Sequence, residues 1–173
     1  MQGKIALVTG ATRGIGRAIA EELSSKGAFV IGTATSEKGA EAISAYLGDK
    51  GKGLVLNVTD KESIETLLEQ IKNDFGDIDI LVNNAGITRD NLLMRMKDDE
   101  WFDIMQTNLT SVYHLSKAML RSMMKKRFGR IINIGSVVGS MGNPGQANYC
   151  AAKAGVIGFS KSLAKEVAAE IQN

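Results

Sequence analysis

The sequence predicts an α/β protein with a doubly wound parallel sheet. Short runs that are apolar on both faces recur along the chain, as in strands buried inside a parallel sheet. Amphipathic helical patterns separate these runs, and a glycine-rich turn directly follows the first run. Strand–helix alternation at this spacing is typical of right-handed βαβ units, which place helices on both faces of the sheet.

Five segments are predicted to be strands. Each is a short run rich in Ile, Val or Leu and bounded by glycine or polar residues. In chain order they are Ile5 to Thr9, Phe29 to Thr33, Gly53 to Asn57, Ile78 to Asn83 and Arg130 to Ile134.

Helices are predicted between these strands. The first follows the glycine-rich turn and has Ile15 and Ile19 on its apolar face. The second repeats apolar residues over 64–75 at spacings of three and four, with Asp60 as its N-cap. A longer helix runs from about residue 98 to about 127, and the last spans 148–169 with a face of small residues.

Composition excludes several classes of protein. The 173 residues suffice for one domain, 1–173, and a net charge of +2 lacks the basic excess of a nucleic-acid-binding protein. The single cysteine, Cys150, permits no intramolecular disulfide and favours a reducing compartment, so the expected location is cytoplasmic. No apolar run is long enough to span a membrane, and no metal is expected because His114 has no ligand cluster at metal spacing.

The glycine-rich turn lies where a phosphate-binding turn is required, between a strand and a helix. Gly10 permits a tight turn, Gly14 lets the backbone approach a pyrophosphate, and Gly16 allows close packing of helix and strand. The alternative is a tight β–α connection without a ligand. The predicted cofactor-binding residues of the turn are Gly10, Ala11, Thr12, Arg13, Gly14, Ile15 and Gly16.

Residues after the second strand indicate which dinucleotide binds. An NAD site usually has an acid there, which binds the ribose hydroxyls. This strand is instead followed by Thr35 and Ser36, while Arg13 stands in the glycine-rich turn. The missing negative charge and the added positive charge favour a 2′-phosphate, and therefore NADP(H). The alternative for Arg13 is a solvated surface charge.

Tyr149 and Lys153 form a candidate catalytic pair in the last helix, in the stretch NYCAAKAG. Residues four apart are neighbours on one helix face. A carbonyl that accepts hydride becomes an alkoxide and needs a proton, but free tyrosine has a pKa of about 10. A neighbouring ammonium stabilises the phenolate and lowers that pKa toward working pH. The alternative is an ordinary half-buried tyrosine beside a solvated lysine.

Three motifs in order resemble the short-chain dehydrogenase/reductases, whose fold is Rossmann-like. They are TGATRGIG (9–16), NNAG (83–86) and YCAAK (149–153). The segments NNAGITRDNLLMRM (83–96) and GRIINIGSVVG (129–139) resemble one branch of that family, the bacterial reductases of β-ketoacyl groups on acyl-carrier protein. The resemblance covers the whole chain apart from its last few residues.

The resemblance implies a role for each matching residue. Tyr149 would be the catalytic acid, Lys153 its partner and a ribose ligand, Ser136 the residue that holds the substrate carbonyl, and Asn108 the fourth catalytic residue, which holds a water. Tyr149 and Ser136 would both contact substrate, and Tyr149 would also contact the cofactor. The remaining cofactor contacts would be Asn57 and Val58 beside the adenine, with Asn84, Ala85 and Gly86 lining the cleft.

The resemblance also implies partners. Acyl-carrier protein would dock at Arg127, although a second docking arginine of the family is replaced by Glu170. A homo-oligomer is expected through the long helix and the last helix, and a tetramer for the full-length family pattern. That pattern continues through a sixth strand, a substrate-covering lid and a seventh strand, which these 173 residues do not contain.

The function implied is NADPH-dependent reduction of 3-oxoacyl-[acyl-carrier-protein] in fatty-acid biosynthesis. Two alternatives remain open. The same chemistry could act on another ketone, such as acetoacetyl-CoA or a polyol. The chain could also be a catalytically dead fragment that binds nucleotide or dimerises.

Overall fold

The structure is a computed structural model that describes residues 1–171, and its centre is a five-stranded parallel sheet. The strands lie in the order β3-β2-β1-β4-β5, and every adjacent pair is parallel. The predicted fold class and all five predicted strands are confirmed. Their bounds are Ile5–Val8 (β1), Phe29–Ala34 (β2), Gly51–Val55 (β3), Ile80–Asn83 (β4) and Arg130–Asn133 (β5).

Seven helices flank this sheet in the described residues. Their bounds are Gly14–Ser25 (α1), Glu37–Leu47 (α2), Lys61–Asp74 (α3), Asp98–Met105 (α4), Ser111–Lys126 (α5), Val138–Met141 (α6) and Ala147–Val167 (α7). Single 3-10 turns occur at Gly48–Lys50 and Leu93–Arg95.

The core divides into two apolar layers because successive side chains of a strand point to opposite faces. Ala6 and Val8 of β1 pack with α1 and α2 on one face. Leu7 of the same strand packs with α3 and α5 on the other face, where Ile171 also contributes. The layer against α3 and α5 contains larger side chains, so this face buries more apolar surface.

Two caps explain where helices begin. The carboxylate of Asp60 accepts hydrogen bonds from the main-chain N–H groups of Glu62 and Ser63, which confirms its predicted role as the N-cap of α3. The hydroxyl of Ser36 caps α2 by accepting from Gly39 N at 3.1 Å. Helix α2 was not among the predicted elements, although Ser36 and the buried side chains of Ile43 and Leu47 satisfy the rules for a helix.

The long helix differs from its prediction in the middle. Helices α4 and α5 are joined by a π-helical turn, Gln106–Thr110, in which Ser111 N donates to Gln106 O. A π-turn is often found at functional sites, and this one contains Asn108. Helix α5 ends at Lys126, because the next residue, Arg127, has a left-handed φ of 54° that terminates the helix.

Strand β5 is the edge of the sheet within residues 1–171. It pairs only with β4 among the described residues, and Ile132 is 43% exposed. An edge strand with an exposed apolar side chain is a surface on which another segment or chain can add. No helix among the described residues has both the length and the apolar character that crossing a bilayer requires.

Candidate active site

The candidate site lies where the strand order reverses, at the carboxyl ends of β1 and β4. The chain leaves β1 toward β2 on one side, while β4 begins the other half of the sheet. In open parallel sheets, ligands bind in the crevice at such a reversal. The glycine-rich turn follows β1, and the Asn-Asn-Ala-Gly segment follows β4.

Three glycines shape the turn as expected. Gly10 and Gly14 have φ values of +64° and +59°, which favour glycine. A Cβ on Gly16 would collide with the carbonyl oxygen of Gly10 and lie 2.5 Å from the Asn84 amide nitrogen. A Cβ on Gly14 would meet no protein atom within 4 Å, so the backbone there faces open space at the N-terminus of α1. This open backbone at a helix N-terminus fits a pyrophosphate.

Asn84 closes the turn from the other half of the chain. Its amide Nδ2 donates to the carbonyl oxygens of Thr9 and Gly10 at 3.2 and 3.0 Å. The Thr9 hydroxyl in turn accepts from the main-chain nitrogens of Asn84 and Ala85, both at 3.0 Å. Asn84 therefore holds the glycine-rich turn directly, which is a more specific arrangement than the predicted role of lining the cleft. Gly86 is exposed beyond it.

The residues predicted to contact the nucleotide differ in their exposure to solvent. Thr12, Arg13, Ile15 and Thr35 are exposed near the turn and the start of α2. Val58 is buried in the core, so its main chain is the part available beside an adenine, and its place there stays a prediction.

Asn57 and Ser36 are both engaged locally. The Asn57 side chain accepts from Thr59 N and the Thr59 hydroxyl at 3.0 and 2.7 Å. A Cβ on Gly39 would lie 3.2 Å from the Ser36 hydroxyl and 3.3 Å from that of Thr12. Gly39 therefore lets the start of α2 approach the glycine-rich turn.

Tyr46 braces the turn from α2, and the sequence pattern did not reveal this role. Its hydroxyl donates to the carbonyl oxygen of Ala11 at 2.6 Å. The Arg17 guanidinium carbon lies 4.5 Å from the centre of the Tyr46 ring. Burial raises the pKa of Tyr46 to about 12, with an opposing contribution from the Arg17 charge.

Tyr149 and Lys153 lie together on α7, as predicted. The Lys153 Nζ lies 5.6 Å from the centre of the Tyr149 ring and donates to Ile134 O at 2.9 Å. Lys153 is only 7% exposed, and this burial lowers the pKa of its ammonium because the charged form is desolvated. The carbonyl at the end of β5 therefore fixes the lysine beside the tyrosine.

Ser136 lies two residues before α6, which packs on α7. Ser136 follows β5, and its hydroxyl accepts from Val138 N at 3.4 Å. A Cβ on Gly139 would lie 3.1 Å from the Lys153 Cβ and main-chain carbon, so α6 packs directly on α7 beside Lys153. The three predicted residues Ser136, Tyr149 and Lys153 thus belong to one packed unit of β5, α6 and α7.

Asn108 is 2% exposed in the π-turn, and its side chain is fully engaged. Its Oδ1 accepts from Ile87 N and its Nδ2 donates to Ile87 O, both at 2.9 Å. The amide therefore clamps the segment that follows Gly86.

Asn148, immediately before Tyr149, is a second residue that the sequence pattern did not single out. It is 0% exposed and makes three hydrogen bonds, to Arg89 O, Glu100 O and Tyr149 N. The sequence shows only an asparagine in the first turn of a predicted helix. Its partners Arg89 O and Glu100 O are main-chain groups far away in sequence, so their positions could not be predicted.

Arg127, the candidate docking residue, lies outside this unit, directly after α5, whereas Cys150 lies on α7. Arg127 is exposed and its guanidinium donates to Ala169 O at 3.3 Å. Cys150 is half-buried and unoxidised. Within residues 1–171, no group of three or more His, Cys, Asp or Glu side chains has an arrangement suited to a metal ion.

Comparison with known proteins identifies the family. The sequence matches the short chain dehydrogenase family over residues 4–172. It is 97% identical over 169 residues to the 3-oxoacyl-[acyl-carrier-protein] reductase FabG of Haemophilus influenzae, covering 98% of this chain and 70% of that relative. Proteins of the same name from Escherichia coli K12 and Pseudomonas aeruginosa are 76% and 65% identical, over 96% of this chain and 68% and 69% of their own lengths. This chain therefore belongs to the short-chain dehydrogenase family.

Proposed function

We propose that this protein is an NADPH-dependent reductase that converts 3-oxoacyl-[acyl-carrier-protein] to the 3-hydroxyacyl form in fatty-acid biosynthesis. The observation that carries the proposal is the Tyr149–Lys153 pair, with Lys153 buried and fixed by Ile134 O at 2.9 Å. Relatives that cover nearly the whole chain at 97% and 76% identity bear the name of this reductase. We treat residues 1–173 as a single dinucleotide-binding catalytic domain.

The residues of the cleft fit a dinucleotide. The exposed backbone at Gly14 and the N-terminus of α1 would hold the pyrophosphate. Arg13 and Thr35 would hold a 2′-phosphate, and Lys153 the nicotinamide ribose. When bound, the cofactor supplies the hydride that reduces the substrate carbonyl.

Tyr149 donates the proton that the reduced carbonyl oxygen requires. The hydroxyl of Ser136 donates a hydrogen bond to that oxygen and stabilises its developing negative charge. Once Tyr149 has given up its proton, the Lys153 ammonium stabilises the phenolate. Burial lowers the pKa of Lys153, so its ammonium is costly alone and is favoured by a phenolate beside it.

Substitution of Tyr149 and Lys153 tests the mechanism. Tyr149→Phe removes only the proton donor, so turnover of a 3-oxoacyl thioester should fall about 10²- to 10⁴-fold while NADPH binding persists. Lys153→Ala should reduce both turnover and NADPH affinity, because Lys153 serves both. A Tyr149→Phe variant that turns over at the wild-type rate would refute the assignment.

Cofactor preference is tested at Arg13. Residues 35 and 36, which follow β2, are Thr and Ser rather than the acid that usually ends this strand in an NAD site. A charge-assisted hydrogen bond contributes about 1.5–3 kcal/mol, so Arg13→Ala should weaken NADPH binding about 10- to 100-fold and leave NADH nearly unchanged. Equal losses for both cofactors would contradict a 2′-phosphate contact.

The acyl carrier is tested separately from the chemistry. The cations Lys125 and Arg127 at the end of α5 suit an acidic carrier protein, whose encounter they would accelerate. Arg127→Ala should raise the KM for the carrier-protein thioester and not for the CoA thioester. Equal turnover of both thioesters, with no effect of Arg127→Ala, would favour a general ketoreductase. The proposal includes a cytoplasmic location and a homo-oligomer, as the family resemblance implies.

A further inference from the structure

Asn148 joins three separate segments beside the proposed proton donor. Its side chain is completely buried in the first turn of α7. The Nδ2 donates to Arg89 O, in the loop after β4, at 2.9 Å, and to Glu100 O, in α4, at 3.1 Å. The Oδ1 accepts from Tyr149 N at 2.8 Å.

These three bonds give a partner to each polar atom of the Asn148 side chain. Both N–H donors of the amide have a carbonyl partner, and its oxygen has a donor. Main-chain N–H groups in the first turn of a helix have no partner inside the helix, so Asn148 supplies one for Tyr149. A buried amide with a complete set of partners resists displacement, because each broken bond would leave a polar group unsatisfied.

Two further hydrogen bonds join the loop after β4 to the segment before α7. Asn91 N donates to Gly145 O at 2.9 Å, and Gln146 Nε2 donates to the Asp90 carboxylate at 3.2 Å. The loop after β4 therefore runs alongside the segment that leads into α7. That loop begins at Asn84, which closes the glycine-rich turn through separate bonds.

We propose that Asn148 is a positioning residue that fixes Tyr149 against the loop after β4, so that the proton donor stands at a set distance from the cofactor cleft. This inference rests on the proposed function of Tyr149 as the proton donor. Cofactor affinity should not depend on Asn148, because the turn that would hold the pyrophosphate has its own contacts from Asn84 and Tyr46.

The test compares Asn148→Ser with Gln146→Ala, which removes an exposed contact to the same loop. Asn148→Ser should lower kcat about 10- to 100-fold, as displacements of about 1 Å do in oriented sites, with the Kd for NADPH unchanged. Gln146→Ala should change kcat by no more than about twofold, as exposed contacts do. The split between kcat and Kd distinguishes positioning from a general loss of stability.

Hydrogen exchange gives a readout that does not need activity. The amide of Tyr149 should exchange faster in Asn148→Ser than in the wild type, whereas Gln146→Ala should leave it unchanged. Should the wild type fail to reduce any 3-oxoacyl thioester, the proposed function fails, and this exchange measurement still decides whether Asn148 clamps Tyr149.

A second variant keeps the test decisive if Asn148→Ser does not fold. Asn148→Asp is nearly isosteric and keeps the acceptor for Tyr149 N, but it loses both donors. A fall in kcat with intact NADPH binding in either variant supports the proposal. A wild-type kcat in both variants would overturn the proposal. If both variants instead lost the fold and NADPH binding, the proposal would also be overturned, because Asn148 would then be needed only for folding.

Discussion

Removal of the Tyr46 hydroxyl should destabilise the glycine-rich turn by a measurable amount. The hydroxyl donates to Ala11 O at 2.6 Å, and Ala11 is completely buried. Tyr46→Phe therefore leaves a shielded carbonyl without this partner, which costs about 1–3 kcal/mol. We expect the free energy of unfolding at pH 8 to fall by about that amount, and the affinity for NADPH to fall with it.

The loss should depend on pH with a defined sign. Burial raises the pKa of Tyr46 to about 12, whereas an unfolded tyrosine ionises near its ordinary value of 10.0. A group whose pKa is raised by folding stabilises the fold below its unfolded pKa, and this contribution is lost as pH rises toward the folded value. Phenylalanine cannot ionise, so the advantage of the wild type over Tyr46→Phe should shrink between pH 10 and pH 12.

Urea unfolding at pH 8 and pH 11 measures both effects. Tyr113→Phe is the matched control, because Tyr113 is 43% exposed and its hydroxyl has only a long contact of 3.4 Å with Lys117. That control should change the free energy of unfolding by less than about 0.5 kcal/mol. Equal stabilities of Tyr46→Phe and the wild type at pH 8 would refute the reasoning, as would a difference that is the same at pH 11.

Three further substitutions have definite expected outcomes. Gly16→Ala should destabilise the protein by about 1–3 kcal/mol and abolish NADPH binding in a fluorescence titration, because its Cβ would collide with Gly10 O. Gly158→Ala, in the same assays, should instead stabilise α7 by about 0.5–1 kcal/mol, because its Cβ would meet nothing within 4 Å. Burial lowers the pKa of Lys153, so the folded protein loses this proton more readily than the unfolded chain does. The melting temperature of the wild type should therefore rise relative to that of Lys153→Met as pH increases toward the ordinary lysine pKa of 10.5. A difference in melting temperature that does not change with pH would contradict this.

Much of the fold was predictable because its signals are local. The β1 strand is a run of apolar residues followed directly by Gly10, and both features depend only on neighbours in sequence. The spacing of Tyr149 and Lys153 likewise places both side chains on one helix face before any tertiary contact is known. Asp60 could be predicted as a cap because capping is a contact within three residues.

The parts that could not be predicted depend on distant main-chain groups. Tyr46 binds Ala11 O across 35 residues, and Asn148 binds Arg89 O across 59. A carbonyl oxygen has no signature in the sequence, so such partners emerge only from the fold. The π-turn around Asn108 also left no signal, since one additional residue in a helical turn hardly disturbs the spacing of apolar side chains.

The position of β1 at the centre of the sheet has a consequence for biosynthesis. β1 can pair with β2 as soon as the first 34 residues are available, but its other edge must wait for β4, which ends at Asn83. Asn84, which locks the turn after β1, is made 75 residues after Thr9, its bonding partner. At a translation rate of about 5–20 residues per second, the turn lacks its bonds to Asn84 for several seconds. A nascent chain that stalls before β4 would expose the apolar edge of β1 to the surrounding chaperones.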